Sequence, residues 1–213
     1  MRQILTNKYV MALKNSVRDV NITSDTLKDN LYVLGDFVGK AIIEQFFIEE
    51  RTIKTSLGET VKGECISSKA VAVISTKDDY RYFGEGVSKV FPNVVRGYID
   101  FAGERGKAAL TCPLREITLP DKEDVEAVIV AKSVLATGCT AITLAKRAVE
   151  KYNPKYLIVA STFYSEQGIE DLEKSCRHVE IFTIGNCDEL REDGMLTPGI
   201  GNLDERLNKK VDK

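Results

Sequence analysis

The residues best placed to do chemistry in this 213-residue sequence form a short run, Val134-Leu135-Ala136-Thr137-Gly138-Cys139-Thr140. The apolar stretch Val125 to Val130 precedes it and reads as a buried strand. A helical pattern, Ala141 to Tyr152, follows it. A strand, a turn of small residues and a helix N-terminus aim free backbone N–H groups and the positive end of the helix dipole at one point. A phosphate or other anion is the natural occupant. Gly138 lets the backbone approach a ligand closely, and the hydroxyls of Thr137 and Thr140 add donors. Neither G-x-G-x-x-G nor G-x-x-x-x-G-K-[ST] is present, so a dinucleotide fingerprint or a Walker loop is not expected. Small residues at such a turn also serve packing alone, and that reading stays open on geometry.

The elements that must position this loop alternate along the chain. Ala70 to Ser75, Val94 to Ile99, Val125 to Val130, Tyr156 to Ala160 and Val179 to Ile184 read as strands. Ala141 to Tyr152, stopped by Asn153-Pro154, and Gln167 to Cys176 read as helices. This order predicts a parallel sheet with right-handed crossovers and a ligand at the C-terminal strand ends. Asp100 to Asp124 reads as a hairpin or a mobile flap. Residues 1–65 read as an extension of the 69–207 core, within one domain spanning 1–213. In the extension, Thr23 or Ser24 caps a helix with Asp25 in its first turn. Leu27, Leu31, Leu34, Val38 and Ile42 make one apolar stripe, and Phe46 and Phe47 end it. Such a stripe packs on the core, or in part on a second subunit. Arg51 to Lys62 then reads as a solvated hairpin arm around Leu57-Gly58-Glu59.

Composition narrows the function classes. Hydrophobic residues make up 43% and charged residues 29%, an ordinary globular balance, and the net charge of -2 offers no broad basic field for nucleic acid. No run of 18 apolar residues and no signal-like N-terminus is present, so neither a membrane span nor secretion is expected and a cytoplasmic location is. The five cysteines, at 65, 112, 139, 176 and 187, include no C-x-x-C pair, and His178 is the single histidine. Reduced thiols and no structural metal are expected. His178 is expected at the surface. Cys139 either fills a glycine-like position or has its pKa lowered by the helix end. Asn208 to Lys213 reads as a solvated tail.

The letters of the loop carry more than its geometry. Val134 to Thr140 resembles the Met-Leu-Ala-Thr-Gly-Gly-Ser loop of uracil phosphoribosyltransferases. Asp193-Gly194-Met195-Leu196-Thr197-Pro198-Gly199-Ile200-Gly201-Asn202 resembles that family's uracil-recognition segment, Gly-x-Ile-x-Pro-Gly-Leu-Gly-Asp. Between them, Gly168 to Glu173 and Val179 to Thr183 follow the same pattern, so the resemblance covers nearly the whole chain. It implies the α/β type I phosphoribosyltransferase fold, a mostly parallel sheet flanked by helices with an N-terminal helix and a β-arm. The implied activity is a pentosyl transfer of pyrimidine salvage: phosphoribosyl pyrophosphate (PRPP) and uracil give UMP and pyrophosphate, with Mg²⁺ when active. A homodimer or higher oligomer is implied as well. Carried over by position, Ala136, Thr137, Gly138, Cys139 and Thr140 hold the 5-phosphate. Lys132 and Ser133 lie on the ribose side, and Met195, Leu196, Gly201 and Asn202 on the uracil. On the pyrophosphate side Tyr98 is kept, and Lys77, Arg81 and Arg105 are candidate substitutes for the family's cations.

The chain departs from the pattern at four places. The family's Asp-Pro before the loop is Lys132-Ser133, so a cation stands where a carboxylate would accept ribose hydroxyls. The Arg-Ala-Gly after the first core strand is replaced within Ser75-Thr76-Lys77-Asp78-Asp79-Tyr80-Arg81. Where the family has Gly-x-Tyr-Arg the chain reads Arg96-Gly97-Tyr98-Ile99-Asp100, with Tyr98 kept and the arginine not, and Gly-Asp has become Gly201-Asn202. Two readings stand side by side. In one, the enzyme is active, with Lys77, Arg81, Arg105 or Lys107 on pyrophosphate and Asp78 or Asp79 replacing the lost metal or ribose contact. In the other, the chain is a non-catalytic or regulatory homologue binding UMP, another nucleotide or phosphate. A third is an enzyme of the same fold with another base or sugar phosphate.

Overall fold

A computed structural model describes residues 1–101 and 114–208. Arg105, Lys107 and Cys112, with the rest of residues 102–113 of the expected flap, and the tail from 209 onward lie outside the described residues. In chain order the elements are β1 (Arg2–Leu5), α1 (Lys8–Arg18), α2 (Ser24–Phe46), β2 (Ile48–Lys54), β3 (Thr60–Ile66), β4 (Ala70–Thr76), α3 (Lys77–Tyr80), α4 (Phe83–Lys89), β5 (Val94–Phe101) and β6 (Leu114–Thr118). They continue with β7 (Val125–Ala131), β8 (Val134–Leu135), α5 (Cys139–Tyr152), β9 (Tyr156–Ser161), β10 (Phe163–Tyr164), α6 (Glu166–Ser175), β11 (Val179–Ile184), β12 (Glu189–Leu190), β13 (Leu196–Thr197) and α7 (Leu203–Asn208).

Seven strands form the main sheet in the order β1-β11-β9-β7-β4-β5-β6. Neighbours are parallel except β6, which runs antiparallel to β5 at one edge. The expected fold class, a mostly parallel sheet flanked by helices, is the one observed. The alternation of side chains along a strand sorts the core into two layers. Val71, Val73, Ile129 and Phe182 face the layer holding α1, α2 and α4, and Ala72, Ile74, Val130 and Val159 face α5 and α6. Central strands are buried on both faces, which is why Ala70 to Ile74 and Ala127 to Ala131 read as unbroken apolar runs.

The stripe of α2 is core: Leu31, Leu34, Val38 and Ile42 are fully buried, and Thr23 caps the helix by accepting the N–H of Thr26. Its Gly35 and Gly39 face α4 so closely that a Cβ on Gly86 would sit 2.1 Å from the carbonyl of Tyr32. The glycines of α4 lower its helix propensity, so nothing in the local pattern announces that helix; the contact with α2 stabilises it. Residues 1–18, read only as part of an extension, contribute more. β1 is an edge strand of the main sheet on β11, and α1 packs beneath it. α1 escapes a periodicity reading because Lys14 holds a core position, 2% exposed, with its ammonium donating to the carbonyls of Ile184 and Asn186 and lying over the rings of Phe163 and Tyr164. β2 and β3 pair from Ile48↔Ile66 to Lys54↔Thr60, a longer and mostly exposed arm than the one expected at 51–62. Among the described residues no helix is long and apolar enough to cross a membrane.

Candidate functional site

The loop after β7 is assembled at the C-terminal end of the sheet. β8 pairs in parallel with β10, so Val134 and Leu135 are held within what read as one continuous turn. Gly138 then takes a left-handed conformation, φ +74°, and α5 begins two residues earlier than expected, at Cys139. The first helical hydrogen bond is Ile142 N to Gly138 O, and no side chain caps the helix. The amides of Cys139, Thr140 and Ala141 therefore point along the axis without helical acceptors, which is the anion-binding arrangement.

α6 braces the loop. The Ser165 hydroxyl donates to Ala136 O at 2.5 Å and accepts from Gly168 N at 2.9 Å, capping α6. A Cβ on Gly168 would meet Ala136 O at 2.4 Å, and one on Gly138 would meet Gly168 O at 2.6 Å. Two backbones touch here because neither glycine has a side chain. The signal for this brace in the sequence is Ser165 three residues before Gly168 at a helix start, a capping pattern that does not by itself point to the loop.

Across from the loop stands the C-terminal segment. β12 and β13 form a small hairpin, Thr197–Pro198 is a cis peptide, and Gly194, Gly199 and Gly201 all have positive φ. Arg18 binds Asp188 through both terminal nitrogens and also donates to Gly199 O at 2.7 Å. Arg206 donates to the carbonyls of Ile200 and Val17, both at 2.8 Å. The segment's backbone is thus tied to α1 and α7 by buried or half-buried guanidinium groups. Loop and segment enclose one cavity of about 450 Å³, a small-molecule size. Ala136, Thr137, Gly138 and Thr140 line one side, and Gly194, Met195, Gly201 and Asn202 the other. Leu203 and Asp204, not singled out by the sequence pattern, line it as well. Cys139 is buried behind the loop, its thiol 3.7 Å from Thr137 O. Leu196 points into the core instead of the cavity. Asn202 also caps α7, accepting from Asp204 N at 3.2 Å.

Lys132 and Ser133 are both buried, and both serve Asp79. The Lys132 ammonium is ion-paired and hydrogen-bonded to the fully buried Asp79 carboxylate. Ser133 adds its hydroxyl at 2.5 Å and its backbone N–H at 3.2 Å. The two unusual charges, one before the loop and one after β4, therefore neutralise each other. Asp79 has no exposed surface with which to accept a ribose hydroxyl, and the charge of Lys132 is already engaged.

A smaller hollow of about 210 Å³ shares Lys132 and Thr140 with the main cavity. Thr76, Asp78, Asp100 and Arg115 line it. Thr76 Oγ1 is buried there without a hydrogen-bond partner among the described residues. Of the residues expected on the pyrophosphate side, Lys77 instead bonds Glu116 at 2.8 Å and lies 3.7 Å from Asp100. The hydrogen bond to Glu116 raises the Lys77 pKa, and the same bond, with one from Tyr98, holds Glu116 below its ordinary value. Tyr98 donates to Glu116 at 2.5 Å. Arg81 is exposed and lines neither cavity. Arg115, which lines the hollow, lay inside the segment read as a flap and carried no motif. No group of three or more His, Cys, Asp or Glu side chains converges on a metal position among the described residues.

Known proteins place these features in a family. The family model for uracil phosphoribosyltransferase matches residues 4–209. A uracil phosphoribosyltransferase from Thermococcus gammatolerans is 28% identical over 200 residues, 93% of this chain and 88% of that one. Another, from Sulfolobus acidocaldarius, is 26% identical over 210 residues, 95% and 97% of the two chains. The solved structure of the AQ2163 protein from Aquifex aeolicus superposes over the full length of both chains with a TM-score of 0.83 at 22% identity, a likeness of fold. With the loop and the C-terminal segment facing each other across one cavity in that fold, the chain belongs to the uracil phosphoribosyltransferase family.

Proposed function

We propose that this cavity binds a uracil nucleotide of the UMP class, with its 5-phosphate on Ala136–Thr140 and its base against Met195, Gly201 and Asn202, and that transfer from PRPP is largely lost. The observation that carries this reading is the buried Lys132–Asp79 pair at the junction of the two cavities. Transfer requires the C1′–oxygen bond to pyrophosphate to break while the C1′–N1 bond to uracil forms and the N1 proton leaves. That step calls for cations on the departing diphosphate and acceptors for the ribose hydroxyls. Freeing Lys132 for the diphosphate would strand a buried carboxylate, at a cost of about 3–5 kcal/mol. Such a cost slows a reaction roughly a hundred- to several-thousand-fold. By the same resemblance we take the chain to be a cytoplasmic homodimer or larger oligomer, which light scattering checks.

A melting experiment tests the binding. UMP at about a hundred times its Kd adds about 2.7 kcal/mol, or roughly 5–10 °C for a chain of this size. Gly138→Asp, which places a side chain and a negative charge in the loop, abolishes that shift. No shift for the wild-type chain sinks the proposal. Labelled uracil with PRPP and Mg²⁺ yields little or no UMP on this reading.

One observation favours the active alternative. The unpartnered Thr76 hydroxyl and Arg115 line the smaller hollow and offer donors to a second anionic group. On that reading UMP forms in the assay, and Arg115→Ala removes most of the turnover.

A further inference from the structure

A second cavity, about 390 Å³, lies against the C-terminal half of α5, at the end of the sheet opposite the phosphate loop. Val149, Leu157 and the buried Cys176 contribute to an apolar floor. Lys146, Lys155, Arg177 and His178 stand around it, all exposed, and no carboxylate lines it among the described residues. Lys155 shares Glu126 with Lys69, which sits closer to that carboxylate at 2.9 Å against 3.5 Å. Burial raises the Cys176 thiol above its ordinary value, so the floor remains uncharged.

We infer that this hollow is a binding site for an organic anion with an apolar body, a carboxylate, sulfonate or phosphate ester, separate from the nucleotide cavity. The volume is that of a small-molecule site. A bare inorganic anion would lose hydration against Val149 and Leu157 without recovering it. A neutral apolar molecule would leave Lys146 and Arg177 without a counter-charge, and a cation would be repelled by them. The carbonyl ends of α5 and α6 each contribute about half a negative charge at this place, which Lys146, Lys155 and Arg177 together outweigh. An anionic head group at the rim with its body on the floor satisfies both parts of the surface, through charge-assisted hydrogen bonds and apolar burial.

The test is a fluorescence titration of the full chain with anilinonaphthalene sulfonate, beside its uncharged relative phenylnaphthylamine. The sulfonate is expected to bind saturably in the ~10–100 µM range, and the neutral probe about tenfold more weakly. Lys146→Glu with Arg177→Glu reverses the rim while leaving the floor. Val149→Trp fills the floor while leaving the charges. Each is expected to weaken the sulfonate about tenfold or more at unchanged melting temperature, and either variant carries the test if the other does not fold. Absence of saturable binding, equal binding of the neutral probe, or wild-type affinity in either folded variant overturns the inference.

Discussion

The mutual neutralisation of Lys132 and Asp79 makes a quantitative prediction. At about 4 Å and an effective dielectric of about 20, two unit charges attract by about 4 kcal/mol, and removing one partner of a buried pair costs about 3–5 kcal/mol. Asp79→Asn leaves the buried Lys132 ammonium without a counter-charge. Lys132→Met leaves the Asp79 carboxylate, 0% exposed, with only the two bonds from Ser133. Each single variant is expected to lose about 3–5 kcal/mol, roughly 6–20 °C of melting temperature for a chain of this size. The double variant has no stranded charge, so it should lose less than either single one. Urea unfolding of the four proteins closes the cycle, with an expected coupling of about 3 kcal/mol or more. Single-variant losses that simply add, within about 0.5 kcal/mol, would refute the reasoning that the pair is held by mutual neutralisation. The same geometry predicts that Lys132→Asp alone puts a second carboxylate against Asp79 and destabilises further than Lys132→Met. Restoration of a family-like carboxylate at position 132 therefore has to be tried with Asp79→Asn.

Three further outcomes are expected. Gly168→Ala puts a Cβ 2.4 Å from Ala136 O, about 1 Å inside ordinary contact, so the phosphate loop shifts; UMP affinity should fall about tenfold, since 1 Å misplacements cost that much or more, and an unchanged Kd by calorimetry would refute the bracing role of α6. Gly86→Ala forces α4 away from α2, where a Cβ would lie 2.1 Å from Tyr32 O, and should cost about 1–3 kcal/mol in urea unfolding. Burial lowers Lys14 from 10.5 to about 8, so between those pH values the unfolded chain keeps a proton that the folded chain has released and stability gained from this group rises with pH; the wild-type urea midpoint should climb relative to Lys14→Met from pH 8 to 10.5, and a flat or falling difference would show that Lys14 is not desolvated.

Much of the site could be read without coordinates because its parts are local. Strand, small-residue turn and helix follow one another within about twenty residues, and backbone amides need only Gly138 and a helix start to face an anion. The glycines of the C-terminal segment are equally local: Gly194, Gly199 and Gly201 take conformations that other residues avoid. What escaped depended on partners far away in sequence. Lys14 hid α1 because its acceptors are carbonyls of Ile184 and Asn186. α4 hid behind its glycines because α2 supplies its contacts. Leu196 was grouped with the base-side residues, but the hairpin turns it inward, and Arg115 carried no motif until β6 brought it beside Asp100.

The sequence by itself therefore determined the fold class, the strand–turn–helix loop and the family. Backbone conformation and apolar periodicity follow from residue type over short spans. Only the tertiary structure decided what the substituted charges do. Lys132 and Asp79 stand 53 residues apart, and separately Lys132 reads as a lost ribose contact and Asp79 as a candidate replacement for it. Brought together by the β4–β7 pairing and closed off from water, they become one neutral unit, because a buried charge is tolerable only beside its opposite.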